Sequence, residues 1–291
     1  MTIHEILEWA RGVLEQAGVE SARGNAEHLL DHCLGIDRTA RFFVRHERVL
    51  SSTEEDAYRR LVARRADRTP LQYLLGKAPF LNDDFVVDER VLIPRPETEQ
   101  VVEVAIRLLR EEESVVVPVI LDIGTGSGAI AVSLAKALQA KVWASDVSLD
   151  ALEVAQTNLQ QLKVEEQVTL VHGDLLRPFH ELKLEGRVDL VISNPPYIPH
   201  GTVDQLAPEI SQHEPRGALD GGVDGCDFYR AIVPAAILFL KPGLGWLILE
   251  LGDGLAKAVG EVIRDQPELS EPRVFPDLNG KDRVIVAKRE Q

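Results

Sequence analysis

From residue 115 onward the chain repeats one pattern: an apolar run, a turn, an amphipathic stretch and another apolar run. The runs at 115–123, 141–146, 168–172, 188–193 and 245–251 read as strands. The amphipathic stretches between them read as helices; one spans 148–162 with Ser148 as its N-cap. Strands joined through helices make a parallel sheet with helices on its faces, because parallel neighbours need a crossover and a helix supplies one. Two further strands are expected at 273–275 and 283–288, with Asn279-Gly280 turning the chain between them.

The first 70 or so residues follow a different rhythm. Thr2 and Glu5 form a capping box, Ile3, Ile6, Leu7, Ala10, Val13 and Leu14 recur at helical spacing, and Gly18 can close the helix. A second helix carries Ala26, Leu29, Leu30, Cys33 and Leu34 and stops at Gly35. Ser52 and Glu55 are expected to open a third, ahead of Tyr58, Leu61 and Val62, and Thr69-Pro70 to break it. The expected class is therefore α/β: a Rossmann-like, mostly parallel seven-stranded sheet preceded by a small helical bundle. Residues 1–75 form the bundle, 76–95 a linking hairpin ahead of a helix starting near Glu97, and 96–291 the α/β domain. Within that domain 200–226 is a loop of more than twenty residues, a length that usually marks function or disorder.

Forty-seven acidic residues against 32 basic ones give a net charge of −15, which repels phosphate backbones and argues against bulk nucleic-acid binding. Basic residues do gather between Arg38 and Arg68, but at helical spacing among apolar ones, as a solvated helix face would carry them. Cys33 and Cys226 belong to no CxxC pair, and the eight histidines form no metal spacing, so neither a disulfide framework nor a metal site is expected. The N-terminus is charged throughout and no apolar run reaches about 18 residues, so a cytoplasmic, membrane-free protein is expected, as a monomer.

In "LDIGTGSGAIA" a strand runs into a helix through Gly124, Thr125, Gly126, Ser127 and Gly128, where the glycines allow a tight turn and close approach to a ligand. Gly124, Gly126 and Ala129 also satisfy the dinucleotide pattern GxGxxA, so a nicotinamide cofactor stays open at this point. Asp146 closes the next strand, where an acid can accept from both hydroxyls of a ribose, and Asp174 follows the third, placed for the amine of an adenine. A glycine turn and two acids after successive strands describe an adenosine site.

The fourth strand narrows the choice. "VDLVISNPPYIP" ends an apolar strand on Asn194-Pro195-Pro196-Tyr197. The prolines alone could be strand terminators. The Asn194 side-chain oxygen and the Pro195 carbonyl, which has no strand partner, can each accept one hydrogen of an NH2 group, and Tyr197 can stack on a planar group. Such a set holds a planar amide or amino-aromatic nitrogen against a donor, and the sulfonium methyl of S-adenosylmethionine, bound across the glycine turn, is one.

These residues are carried by stretches that resemble the HemK-type protein-(glutamine-N5) methyltransferases, the PrmC family, in order along the chain: "TPLQYLLG", "LIPRPETE", "LDIGTGSGAIAVSLA", "SDVSLDAL", "VISNPPYI", "EPRGALDGGVDG", "FYRAI" and "NGKDRV". The resemblance implies methyl transfer from S-adenosylmethionine to the glutamine of the GGQ motif in peptide chain release factors, with residues 1–75 as the docking domain. It implies cofactor contacts from Gly124 to Gly128, Asp146, Leu175 and Asn194, and a glutamine held by Asn194 to Tyr197, Pro196 included. The Arg95–Glu99 run implies an active-site wall that sister enzymes acting on a ribosomal-protein glutamine typically lack. Leu175 stands where some members have an aromatic residue, and Cys226 where a leucine is common.

Rival readings are an adenine-N6 methyltransferase of DNA or RNA, disfavoured by the charge and by the lack of a basic recognition domain, the ribosomal-protein glutamine enzyme, and a non-catalytic sensor of the cofactor or of a translation partner. No direct contact with nucleic acid is expected.

Overall fold

The computed structural model describes residues 1–36, 48–112 and 115–291. Arg38, Arg41, Arg45 and His46 of the basic stretch lie outside the described residues. The chain divides into two compact units, Met1–Lys77 with Ala207–His213, and Ala78–Leu206 with Glu214–Gln291.

The first unit packs helices α1 (Ile3–Gln16), α2 (Ala22–Leu34), α3 (Ser52–Ala66) and α4 (Leu71–Leu75). Helix α1 opens with the expected box, Thr2 Oγ1 accepting from the Glu5 amide and Glu5 Oε2 from the Thr2 amide. Helix α2 stops at Gly35 in the left-handed conformation. The capping box of α3 sits one residue earlier than expected, at Ser51 and Glu54. Both serines satisfy the Ser-x-x-Glu spacing, but Glu55 is drawn instead to the N-terminal ammonium and to Arg59. Ile6, Leu14, Leu29, Tyr58 and Val62 close the core of this unit, and the Tyr58 hydroxyl donates to the Ala26 carbonyl at 2.9 Å. On α3, Arg60 and Arg64 are exposed, as a solvated face requires. Arg65 is not: it is buried and donates to Glu209 at 2.8 Å, while Arg68 reaches both oxygens of the same carboxylate at 2.7 and 2.6 Å.

The second unit carries the hairpin β1 (Lys77–Phe80) and β2 (Asp83–Val86), helix α5 (Pro96–Glu111), and a seven-stranded sheet. Its strands are β3 (Val119–Ile123), β4 (Lys141–Asp146), β5 (Val168–His172), β6 (Leu190–Ser193), β7 (Trp246–Glu250), β8 (Arg273–Pro276) and β9 (Asp282–Lys288). They lie in the order β5-β4-β3-β6-β7-β9-β8, with only β9 antiparallel to its two neighbours. Strand β3 starts four residues later than 115 because Pro118, which has no amide hydrogen, precedes it. Strand β6 begins at Leu190, two residues later than 188; the Asp189 backbone just before it already bonds to Val119 and Trp246, and its carboxylate accepts from the Val119 amide and from Lys241.

Side chains alternate between two cores. Ile120, Leu190, Ile192, Ile248 and Val284 enter one, and Leu121, Val191, Leu247, Leu249 and Ile285 the other. Helices α6 (Ala129–Leu138), α7 (Leu149–Leu162), α9 (Asp227–Phe239) and α10 (Ala256–Arg264) cover the sheet, and Ser148 N-caps α7 as expected. Helix α8 (Pro208–Ser211) lies in the 200–226 segment, which is organised by short helical turns. From β3 the chain winds outward to β4 and β5, then returns to β6 on the other side of β3. The order of strands therefore reverses between β3 and β6, where an α/β sheet opens a crevice at its carboxyl edge.

Candidate active site

The crevice is a cavity of about 210 Å³ at that reversal. Its walls are the residues that follow the strands: Gly124 and Gly126 after β3, Asp146 to Ser148 at the end of β4, Gly173 to Leu175 after β5, and Asn194 to Pro196 after β6. Ser193 Oγ donates to the Ile123 carbonyl at 2.7 Å and so ties β6 to β3 directly beneath them.

Gly124 and Gly126 have φ of +71° and +55°, and a Cβ placed on either would meet no protein atom within 4 Å. The turn thus presents bare backbone to open space. It is fastened from below, since the Gly124 and Thr125 amides both donate to the Ser145 carbonyl at 2.9 Å. Thr125 and Ser127 are not on the cavity wall: the Thr125 hydroxyl donates to Asp122 at 2.6 Å, and the Ser127 backbone carbonyl accepts from Asn158. Gly128 lies against Ala155. Burial pushes the fully enclosed Asp122 carboxyl up to about 7, with Thr125 opposing and Asp146 adding to the rise.

Asp146 accepts from the Gly126 amide through one oxygen and from the Ser148 amide through the other, each at 2.9 Å. Each oxygen keeps a further lone pair for a ligand hydroxyl. Asp174 is half exposed at the cavity rim beside Arg177. Leu175 has φ of +50°, a strained value for a residue with a side chain, and Ser145 Oγ holds it by donating to its carbonyl at 3.0 Å. An open glycine cradle, an acid with free lone pairs and an apolar neighbour after the third strand fit an adenosine group.

After β6, Asn194 Nδ2 donates to Thr98 Oγ1 at 3.1 Å, and the Thr98 hydroxyl donates to Glu250 Oε2 at 2.6 Å. No hydrogen bond reaches Asn194 Oδ1 or the Pro195 carbonyl among the described residues, so two acceptors stand at the edge of the cavity. Tyr197 is not on the cavity wall. Its ring lies against Gly252 and its hydroxyl is 3.4 Å from Glu250 Oε1, and burial together with that carboxylate raises its pKa. The long loop explains this placement: Ile198 pairs with Asp220, the Ile198 amide donates to the Leu219 carbonyl and the Gly221 amide to Ile198, so Leu219–Gly221 runs as a strap along the Asn-Pro-Pro-Tyr segment.

The Arg95–Glu99 run supplies three anchors. Arg95 donates to the buried Glu214 at 2.6 Å, Thr98 reaches Glu250, and Glu99 accepts from the Leu81 amide at 2.8 Å. Sequence reasoning missed Glu250, whose only signal is an acid closing the wholly buried strand "WLILE", and missed Arg90 to Leu92 and Phe228 in the cavity wall, which carry no local pattern. Among the described residues no group of three or more His, Cys, Asp or Glu could hold a metal, and no helix is long and apolar enough to cross a membrane.

Residues 101–217 match the methyltransferase small domain, and residues 5–76 the PrmC N-terminal domain. The fold is shared with the hMettl16 catalytic domain solved in complex with MAT2A 3'UTR hairpin 6 (TM-score 0.57, 18% identity, 78% of this chain and 81% of that one). It is shared also with the Pyrococcus furiosus methyltransferase (TM-score 0.51, 21% identity, 79% and 99%) and with the N-terminal domain of human METTL16 in complex with SAH (TM-score 0.50, 20% identity, 70% and 75%). The second unit thus has the fold of a methyltransferase domain. The release factor glutamine methyltransferase of Geobacter sulfurreducens is 46% identical over 98% of this chain and 95% of its own length. That of Moorella thermoacetica is 42% identical over 100% of both, and that of Bacillus subtilis 37% over 98% and 97%. The chain belongs to the family of release factor glutamine methyltransferases.

Proposed function

We propose that the chain methylates the side-chain amide nitrogen of the glutamine in the Gly-Gly-Gln motif of peptide chain release factors. The observation that carries this reading is the pair of unengaged acceptors, Asn194 Oδ1 and the Pro195 carbonyl, beside the open glycine turn. Two acceptors suit a group with two hydrogens on one nitrogen, which a carboxamide is and a carboxylate is not. S-adenosylmethionine, when bound, would supply the electrophilic methyl; Gly124, Gly126, Asp146, Asp174 and Leu175 on the cavity wall are the residues that would hold it.

A carboxamide nitrogen is a poor nucleophile because its lone pair is delocalised into the carbonyl. Drawing both hydrogens onto fixed acceptors holds the nitrogen in place and strengthens as those hydrogens grow acidic during bond formation, so Asn194 and Pro195 favour the transition state over the ground state. As the nitrogen–methyl bond forms and the sulfonium–methyl bond breaks to leave a neutral thioether, the nitrogen would give up one of those hydrogens as a proton to water. Residues 1–75 are the proposed docking unit, since no residue of the candidate site comes from them. Reversing charge at the exposed Arg60 and Arg64 should then raise KM for an intact release factor and leave transfer to a short Gly-Gly-Gln peptide unchanged.

Labelled S-adenosylmethionine, a release factor and the protein, followed by mass spectrometry of the product, test the reaction. A methyl on the glutamine is expected. Label on another residue, or equal transfer to a factor carrying glutamate there, would overturn it.

A further inference from the structure

Asn194 can help a substrate amide only if its oxygen, and not its NH2 group, faces the cavity. The two ends of a carboxamide are nearly the same size, so shape alone does not decide which end that is. The deciding contact is Thr98. The residue is 4% exposed, on the first turn of α5, and its Oγ1 stands between Asn194 Nδ2 and Glu250 Oε2. A threonine hydroxyl has one hydrogen. When that hydrogen goes to the Glu250 carboxylate, which is acceptor-only, the hydroxyl has nothing left to donate toward Asn194 and can only accept from it. Asn194 must then present NH2 to Thr98, and its oxygen is turned to the substrate side.

We infer that Thr98 and Glu250 are positioning residues that set the polarity of the Asn194 amide, and through it the acceptor offered to the reacting nitrogen. The inference rests on the proposed glutamine-methylating function and adds to it. Glu250 is suited to the task. It ends the buried strand β7, its backbone carbonyl accepts from the Tyr229 hydroxyl at 2.7 Å, and its carboxylate oxygens meet the Thr98 and Tyr197 hydroxyls, so the residue is held at one backbone and two side-chain points. The relay joins three segments far apart in sequence, α5, the end of β6 and the end of β7, in one chain of hydrogen bonds. If the Thr98 hydroxyl were lost, the amide could turn its NH2 toward the substrate NH2, and two donors would face each other.

The test compares Thr98→Val, which keeps the shape and removes the hydroxyl, with Thr98→Ser, which keeps the hydroxyl. In Thr98→Val, kcat is expected to fall about ten- to a hundredfold, with cofactor affinity by calorimetry and KM for the release factor nearly unchanged; Thr98→Ser should restore most of the rate. In the Asn194→Ala background the valine substitution should cost no further rate, because Thr98 acts through Asn194. A purely structural role for Thr98 would slow both backgrounds alike, and that additivity would overturn the inference. The second readout needs no turnover. In 15N-labelled protein the Asn194 side-chain NH2, assigned by its disappearance in Asn194→Asp, should exchange its hydrogens slowly in wild type and Thr98→Ser and fast in Thr98→Val. If wild-type protein methylates no glutamine but the exchange pattern holds, the function is wrong and the relay stands; unchanged exchange in Thr98→Val sinks the relay whatever the activity.

Discussion

Gly252 lies flat against the ring of Tyr197, so close that a Cβ on the glycine would stand 2.7 Å from Cδ2. Two more glycines crowd the same residue: a Cβ on Gly221 would sit 2.7 Å from the Tyr197 Cα, and one on Gly225 only 2.4 Å from its carbonyl oxygen. The "DGGVDG" run and the glycine after β7 thus leave room for Tyr197, and their role is to fix the segment that carries Asn194. Gly252 lacks a positive φ, so an alanine there meets a crowded ring and no backbone strain. Gly252→Ala is expected to destabilise by about 1–3 kcal/mol through overpacking and to slow transfer by moving Asn194. Thermal melting and single-turnover rates check it; a variant with wild-type values on both would show that the ring moves aside freely.

Asp146→Ala should weaken S-adenosylmethionine binding about ten- to a hundredfold, the worth of one to two hydrogen bonds to a charged acceptor. The same carboxylate also takes the Gly126 and Ser148 amides, so part of the loss will come from a looser glycine turn. Asp146→Asn separates the two effects. It keeps an acceptor for one backbone amide but offers an NH2 where a ribose hydroxyl would donate, and should recover melting temperature more than affinity. Calorimetric affinity equal to wild type in the alanine variant would remove Asp146 from the site.

Much of this was legible because it is local. The strands, the left-handed glycines after β3 and the Ser148 cap each follow from a few neighbouring residues, and the structure places them within a few positions of expectation. What was not legible depends on pairing across the chain. Nothing near Glu209 announces that it will lie between Arg65 and Arg68, and nothing near Thr98 announces Glu250, 152 residues away. Tyr197 shows the same limit from the other side: its own segment suggests a stacking face, while the glycines packed on its backbone and its ring come from later segments of the chain.

The Glu209 clasp within the first unit gives a stability prediction. The bonds from Arg68 and Arg65 outweigh the opposing effect of burial and hold its carboxyl at about 2, so it stays ionised in any ordinary buffer. Glu209→Gln leaves the buried Arg65 guanidinium and its neighbour without a carboxylate, at a cost of roughly 1–3 kcal/mol. The variant should melt earlier, and limited proteolysis should cut the 206–214 segment faster. Unchanged melting and cleavage would mean that Asn25 and the Thr69 carbonyl, which also accept from Arg65, hold it unaided.

The pH dependence of rate and of stability should run in opposite directions, and Glu250 is the reason. Burial pushes its carboxyl up to about 7; the Thr98 bond, Arg283 on β9 and the Tyr197 hydroxyl oppose the rise, and Glu97 on α5 adds to it. The relay needs the ionised form. A protonated Glu250 can donate to Thr98 Oγ1 itself, which frees the threonine hydrogen to point at Asn194 and favours the reversed amide. The rate of transfer should therefore climb with pH through about 7 and level off above it. Stability does the reverse. The unfolded carboxyl releases its proton near 4.5 and the folded one near 7, so folding takes up a proton between those values. This group's contribution is fully present below about 4.5 and is lost as pH rises through 7. Asp122, also held up to about 7 by burial, adds to the stability slope but has no contact with Asn194. Glu250→Gln should flatten the rate profile and reduce the slope of melting temperature against pH, whereas Asp122→Asn should reduce only the slope. Rates measured from about pH 5.5 to about 8.5 that keep their acid limb in Glu250→Gln would assign the limb to some other group and take the ionised carboxylate out of the relay.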